Sequence, residues 1–189
     1  MDMTEFTRLL QSRKKEIDNL IRHKLPAKVG RMAKDHFQEN FRRQGFVSGG
    51  LQPWPKAKRQ LSGGSAAAEY GTLLSGRNHL FSSIAYAPGD ARVMVYNGLR
   101  YAPIHNWGGY VAPQVTPQMR RFAWAMYYRN GGGTKQKTAE ADKWKALALT
   151  KKQKLHIRIP QRQFLGESHE LTKKINEEME NEIIDTLFK

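Results

Sequence analysis

Tyr101-Ala-Pro-Ile-His-Asn-Trp-Gly-Gly109 is the stretch around which the chain is organised. It sets Tyr, Pro, Ile, His and Trp within seven residues and closes on a glycine pair. Aromatic bulk beside glycine places a buried side chain where the backbone turns sharply or is closely approached. His105 in that setting reads in two ways, as a catalytic group or as an architectural residue that ties a corner by hydrogen bonds. The architectural reading weighs more, because a catalytic histidine needs a nucleophile, acid or metal ligand and none stands nearby in sequence.

Upstream, Arg92 to Asn97 has β-rich composition, and Leu80 to Ala87 predicts a strand. Pro88-Gly89-Asp90 between them is a turn signal, so the two runs predict a hairpin. Further back, Thr4 to His23 shows helical spacing with Thr4 as its cap, broken at Leu25-Pro26. A second helix follows, with Val29, Met32, Ala33, His36, Phe37 and Phe41 on one face and Gly45 as its C′ residue. Phe46 to Ser65 reads as an extended loop, because Gly49-Gly50 and Gln52-Pro-Trp-Pro55 oppose regular structure. Trp54 between two prolines is a rigid anchor, either for the domain's own core or for a neighbouring subunit. Lys56, Lys58 and Arg59 form a basic cluster just after it.

Downstream, Thr116 to Arg129 predicts a helix with Thr116 as cap and Pro117 in its first position. A shorter helix follows around Trp144. Leu155, Ile157 and Ile159 alternate with His156 and Arg158 as a half-buried strand, stopped by Pro160. Ser168 to Phe188 closes the chain as an amphipathic helix, in which Leu171, Ile175, Met179, Ile183 and Leu187 step by four. The order predicts an α+β fold: a small, mainly antiparallel sheet packed with N-terminal and C-terminal helices. At 189 residues the expectation is a single domain spanning 1–189.

Net charge is +15 and unevenly placed. From Glu167 to Lys189 seven acids oppose three lysines, a net of −4, so the rest carries +19. Such a field suits polyanionic partners, an acidic protein surface or plain solvation alike. Cysteine is absent, which excludes disulfides and thiolate metal sites and fits a reducing cytoplasm. No apolar run is long enough to span a membrane, and the N-terminus lacks the apolar core of a secretory signal.

Motifs for catalysis are missing: no GxGxxG, P-loop, HExxH or GxSxG. None of the six histidines has another histidine or a carboxylate at a recognised ligand spacing. His169-Glu170 is explained by helix N-terminal electrostatics, at least for Glu170. The ten acids of the first 166 residues are scattered, which opposes a metal nuclease. The expectation is therefore no enzyme, no cofactor and no metal. Arg42-Arg43, Lys56, Lys58, Arg59, Arg120, Arg121 and Lys151 to Lys154 could contact phosphates, with Trp54 or Tyr127 as stacking groups, insensitive to base sequence.

Four pieces in order carry a resemblance. They are Pro53-Trp54-Pro55; Leu73-Leu-Ser-Gly-Arg77 with Leu80 and Ile84; Tyr101-Ala102 with Ile104-His105 and Gly108-Gly109; and Ile159-Pro-Gln-Arg-Gln-Phe-Leu-Gly166. With helices at both ends, they resemble the phage virion morphogenesis family, which includes the G protein of Mu-like phages. The segment from about 110 to 154 is longer than that pattern and reads as an insertion. The resemblance implies a structural protein of the virion, assembled in the host bacterial cytoplasm. It would act in tail completion, tail termination or head–tail joining. Its implied partners are other tail or head-connector proteins and copies of itself, in a ring of six subunits or another closed number through which DNA passes. Structural or assembly roles are expected for Trp54, Tyr101, His105, Trp107, Gly108, Gly109, Pro160, Arg162 and Phe164, all but Trp107 lying in the matching pieces. The expected arrangement is a corner fixed by Tyr101, His105 and Trp107, against which Arg162 and Phe164 pack.

Overall fold

A computed structural model describes residues 2–62, 69–135 and 138–188. The chain divides into two compact units, residues 1–108 with 160–189, and Gly109–Ile159. The class is α+β. The antiparallel strands of the described residues form three separate pairs.

The first unit begins with α1 (Met3–Asn19), a π-helical turn (Leu20–Lys24) and α2 (Leu25–Arg43) in one continuous run. Asp2 is the N-cap, two residues earlier than Thr4, and its backbone N–H donates to the Glu5 carboxylate at 3.2 Å. Pro26 does not break the helix. It lies in the first turn of α2, where a missing N–H is tolerated. Its ring deprives the Arg22 carbonyl, four residues back, of the usual donor. That carbonyl accepts instead from Ala91 N–H at 3.1 Å. Ala91 sits at the tip of the hairpin of β3 (Ile84–Gly89) and β4 (Arg92–Asn97), and the neighbouring Asp90 pairs with the Arg22 side chain at 3.0 Å. A helix defect and a hairpin tip thus satisfy one another.

α2 packs on this hairpin at Gly30. A Cβ there would run into the Tyr86 ring and stand 2.9 Å from Val93 Cγ2. Gly30→Ala is therefore expected to destabilise by about 1–3 kcal/mol through overpacking. That sign opposes the gain of about 1 kcal/mol that alanine brings to an exposed helix. Urea denaturation checks it, and a stabilised variant would overturn the packing argument.

Two readings from sequence change at the end of α2. The left-handed residue is Gln44 (φ 53°), and Gly45 already belongs to a strand. The stretch expected to be an irregular loop contains a short hairpin, β1 (Gly45–Val47) with β2 (Leu51–Pro53). Gly49 (φ 64°) and Gly50 (φ 111°) make its turn. Pro53 ends the pairing, so the prolines limit the hairpin without preventing it. α3 (Lys58–Ser62) follows. Leu80 and Phe81 lie in a helical turn, α4 (His79–Ser82), so β3 starts four residues later than the apolar pattern implies.

The core joins α2, both hairpins and the closing helix, α8 (His169–Leu187). Phe41, Phe164 and Ile84 are almost wholly inaccessible, with Phe37, Phe46, Trp54, Leu80, Ala102 and Leu171 around them. Ser168 caps α8 by accepting from Leu171 N–H at 3.2 Å. Glu170 does more than face a helix dipole: its carboxylate accepts from Gly49 N–H (3.2 Å) and Gly50 N–H (2.9 Å). These donors hold its pKa below the usual carboxylate value. α8 packs on α1 and α2, and Lys28 of α2 pairs with Glu178 and Glu182.

The second unit holds β5 (Gly109–Val111) paired with β6 (Ile157–Ile159) and two helices, α6 (Pro117–Arg129) and α7 (Ala139–Ala148). Thr116 and Thr138 cap the helices through their hydroxyl oxygens. The helices pack through the small residues Ala123, Ala141 and Ala148, all buried, with Phe122 edge-on to Trp144.

Candidate functional site

The segment Arg162 to Leu165 belongs to no helix or strand, so its backbone groups need other partners. They find them in the stretch Tyr101 to Gly109 and in Trp54. The organising stretch is itself a short helix, α5 (Ala102–Trp107). Arg162 N–H donates to the His105 carbonyl at 2.8 Å. Phe164 N–H and Leu165 N–H both donate to Asn106 Oδ1 at 2.9 Å, and Asn106 Nδ2 donates to the Leu165 carbonyl at 3.1 Å. Trp54 Nε1 donates to the Gln163 carbonyl at 2.8 Å. A side-chain amide and an indole thus replace a missing strand partner.

Asn106 is the residue that reading from sequence overlooks. It is buried at 5% exposure and carries three of these bonds. An amide inside an aromatic, glycine-terminated stretch offers both a donor and an acceptor to a passing backbone, and that chemistry was its only signal.

The other residues divide by burial. Phe164 is fully buried and Trp54 nearly so; their rings stand 5.2 and 5.4 Å from Phe41. Trp54 therefore anchors the core of its own chain. Arg162 is 7% exposed, and its guanidinium donates to the Pro55 (2.9 Å) and Lys56 (3.3 Å) carbonyls. Burial, and then the nearby Arg59 charge, lower its pKa. Tyr101 and Trp107 are 43% and 66% exposed, so the buried hold on the segment comes from Asn106, Phe164 and Arg162 and not from these two rings. Gly108 (φ 70°) and Gly109 (φ 138°) take conformations that side chains disfavour, and they mark the passage from the first unit to the second. Ile159-Pro160 marks the return.

His105 works through its carbonyl. Its ring meets the Tyr101 edge at 5.9 Å, and among the described residues Nδ1 has no hydrogen-bond partner. Burial, and then the Arg162 charge, lower its pKa, so it is neutral at pH 7. His36 is lowered too, chiefly by burial. Both histidines bind protons more readily unfolded, from their ordinary value of 6.5 downward. Stability is then complete above about pH 6.5 and declines as pH falls below it. A second decline begins below about 4.5, where Glu39 and Glu170, both held low in the fold, become protonated. Urea midpoints between pH 4 and 8 check this. The double variant His36→Gln/His105→Gln should flatten the upper stage alone.

Two of the quoted motifs, forty residues and more apart in the chain, are thus one hydrogen-bonded corner. A family model described as the phage virion morphogenesis family matches residues 1–184. The chain belongs to the phage virion morphogenesis family. No curated protein and no solved structure matches the chain. In this family member the Trp54, α5 and Arg162–Leu165 elements form the centre of the first unit, and the family's role in building virions is the setting for its surface.

The cations expected to meet phosphate in this morphogenesis protein have different settings. Lys56 and Lys58 are exposed. Arg59 is committed to the fold: Nη2 donates to the Gly71, Thr72 and Leu74 carbonyls at 2.7, 3.2 and 2.8 Å. Together Arg59 and Arg162 tie the backbone on either side of α3. Arg120 donates to the Ala148 carbonyl at 3.0 Å, and Arg121 is exposed. Arg42 and Arg43 pair with Glu39.

Proposed function

We propose that this chain is a ring-forming structural subunit that acts in tail completion or head–tail joining of a phage or prophage virion, assembled in the host cytoplasm and catalysing no reaction. Membership of a virion morphogenesis family over residues 1–184 carries the reading. On it, Gly109–Ile159 is an insertion into the family core, and the partners are neighbouring copies and other tail or connector proteins.

Two surface features support a role in assembly. Trp107 is exposed beside a groove of about 280 Å³ bordered by Pro103, Asn106 and Leu165. A large aromatic held open by a rigid corner is suited to an intersubunit contact. The acidic closing helix faces solvent on a chain that is otherwise strongly basic. Unlike surfaces at different places on one subunit favour head-to-tail contacts, which close into rings.

The test is light scattering against concentration with negative-stain microscopy, alone and with isolated tails and connectors. Closed oligomers, or a monomer that joins one of these structures, are expected. Trp107→Ala should weaken association at least tenfold without moving the unfolding midpoint. A wild-type chain that stays monomeric and binds neither structure would sink the reading.

A further inference from the structure

We infer that the unit Gly109–Ile159 grips the phosphodiester backbone of duplex DNA through a depression formed by Arg120, Lys151, Lys152 and Lys154. The inference rests on the unit's own charge and geometry and stands whether or not the chain forms rings.

Charge is the first observation. The unit has eleven lysines and arginines against Glu140 and Asp142, a net of +9 in 51 residues. The other 138 residues carry the remaining +6 of the total of +15. A solvating surface has no need to concentrate charge in this way, whereas binding to phosphate does.

Geometry is the second. The depression has a volume of about 320 Å³ and is lined by Gln114, Val115, Arg120 and the run Lys151 to Lys154. Its two walls are pinned to each other: Val115 N–H donates to the Gln153 carbonyl at 2.8 Å, and Gln114 pairs with Lys154. The Arg120 bond to Ala148 fixes the guanidinium at the rim. Lys152 N–H donates to the Thr150 hydroxyl at 3.3 Å, which shapes the turn bearing the lysines. Among the described residues, none of these four cations pairs with a carboxylate. The chain thus holds several cations together on a braced backbone with no acid to neutralise them, and it accepts their mutual repulsion.

The lining decides the ligand. It has no aromatic ring on which an unpaired base could stack, and no acid to receive a basic partner. Lysines and an arginine with amide neighbours suit a regular array of phosphates, read without regard to base sequence.

The experiment is fluorescence anisotropy of a labelled 24-base-pair duplex with the full chain, between 50 and 300 mM salt. The site variant is Lys151→Gln/Lys152→Gln/Lys154→Gln. The control, Lys14→Gln/Lys15→Gln/Lys24→Gln, removes equal charge from exposed positions of the first unit. The site variant should bind about tenfold more weakly, with its log–log salt slope reduced by about 2 to 3, near 0.9 per lost contact. The control should stay within about twofold of the wild type, and neither variant should change the oligomeric state. Equal losses in both variants would reduce the effect to the general field and overturn the site, as would no wild-type binding at 50 mM salt. Polyglutamate that displaces the duplex as well as unlabelled DNA does would overturn it in favour of an acidic protein surface.

Discussion

Asn106→Ala is expected to cost about 3–5 kcal/mol of folding stability, among the largest effects of any single change in the chain. The amide accepts from Phe164 N–H and Leu165 N–H and donates to the Leu165 carbonyl. Truncation leaves these backbone groups without partners in a region where Phe164 is fully buried. Each buried orphan costs about 1–3 kcal/mol, so two or three reach that range even after partial relaxation. A typical domain has only about 5–15 kcal/mol in hand. Asn106→Asp separates the contributions. The carboxylate keeps an acceptor for both N–H groups but has no N–H for Leu165, so it should lie between wild type and alanine. Urea denaturation gives both values. A loss below about 1 kcal/mol for alanine would mean that water replaces the amide and that Asn106 does not hold the corner together.

Trp54→Ala carries the second large effect, about 3–5 kcal/mol for a deleted core aromatic. The indole is 7% exposed, packs edge-on to Phe41 at 5.4 Å and donates to the Gln163 carbonyl. Trp54→Phe keeps most of the ring but removes the donor, and should cost about 1 kcal/mol, the value of one such bond. The ratio of the two losses therefore measures packing against hydrogen bonding. If Trp54→Ala kept full stability yet abolished assembly, the tryptophan would be an intersubunit plug, the alternative left open by its position between two prolines.

Both residues show how far the sequence can be read. Trp54 announced itself, because an aromatic locked between prolines is costly to leave in solvent. Asn106 did not, because an asparagine two residues before a glycine pair is as much at home in an exposed turn as in a buried bridge. The pairing of the two quoted motifs was expected, and His105, Arg162 and Phe164 take part in it, but the bridging Asn106 was not foreseen. Tyr101 and Trp107 drew notice by size and proved exposed, while a small amide and a histidine carbonyl made the contact. Arg59 and Arg120 read as surface cations. Their hydrogen bonds to carbonyls depend on where distant loops lie, which charge patterns do not encode.

The helix boundaries teach the same lesson. Pro26 suggested a break, since proline removes a donor and obstructs the carbonyl four residues earlier. The break is bridged by a partner 65 residues further along, the Ala91 N–H. A sliding window of sequence contains no information about such a donor.

What the sequence determined by itself was the α+β class, the helical ends, the β3–β4 hairpin and the family. These follow from local periodicity, turn chemistry and ordered motifs, all of which act over a few residues. Tertiary structure alone decided that Asn106 bridges the corner, that Trp54 serves its own core, and that Glu170 holds a glycine turn 120 residues away. Only the folded chain gathers Arg120 and the lysines of residues 151–154 at one depression. The physical reason is common to all four: which groups meet in space is set by the packing of elements distant in the chain, and the fold, not the neighbouring residues, decides it.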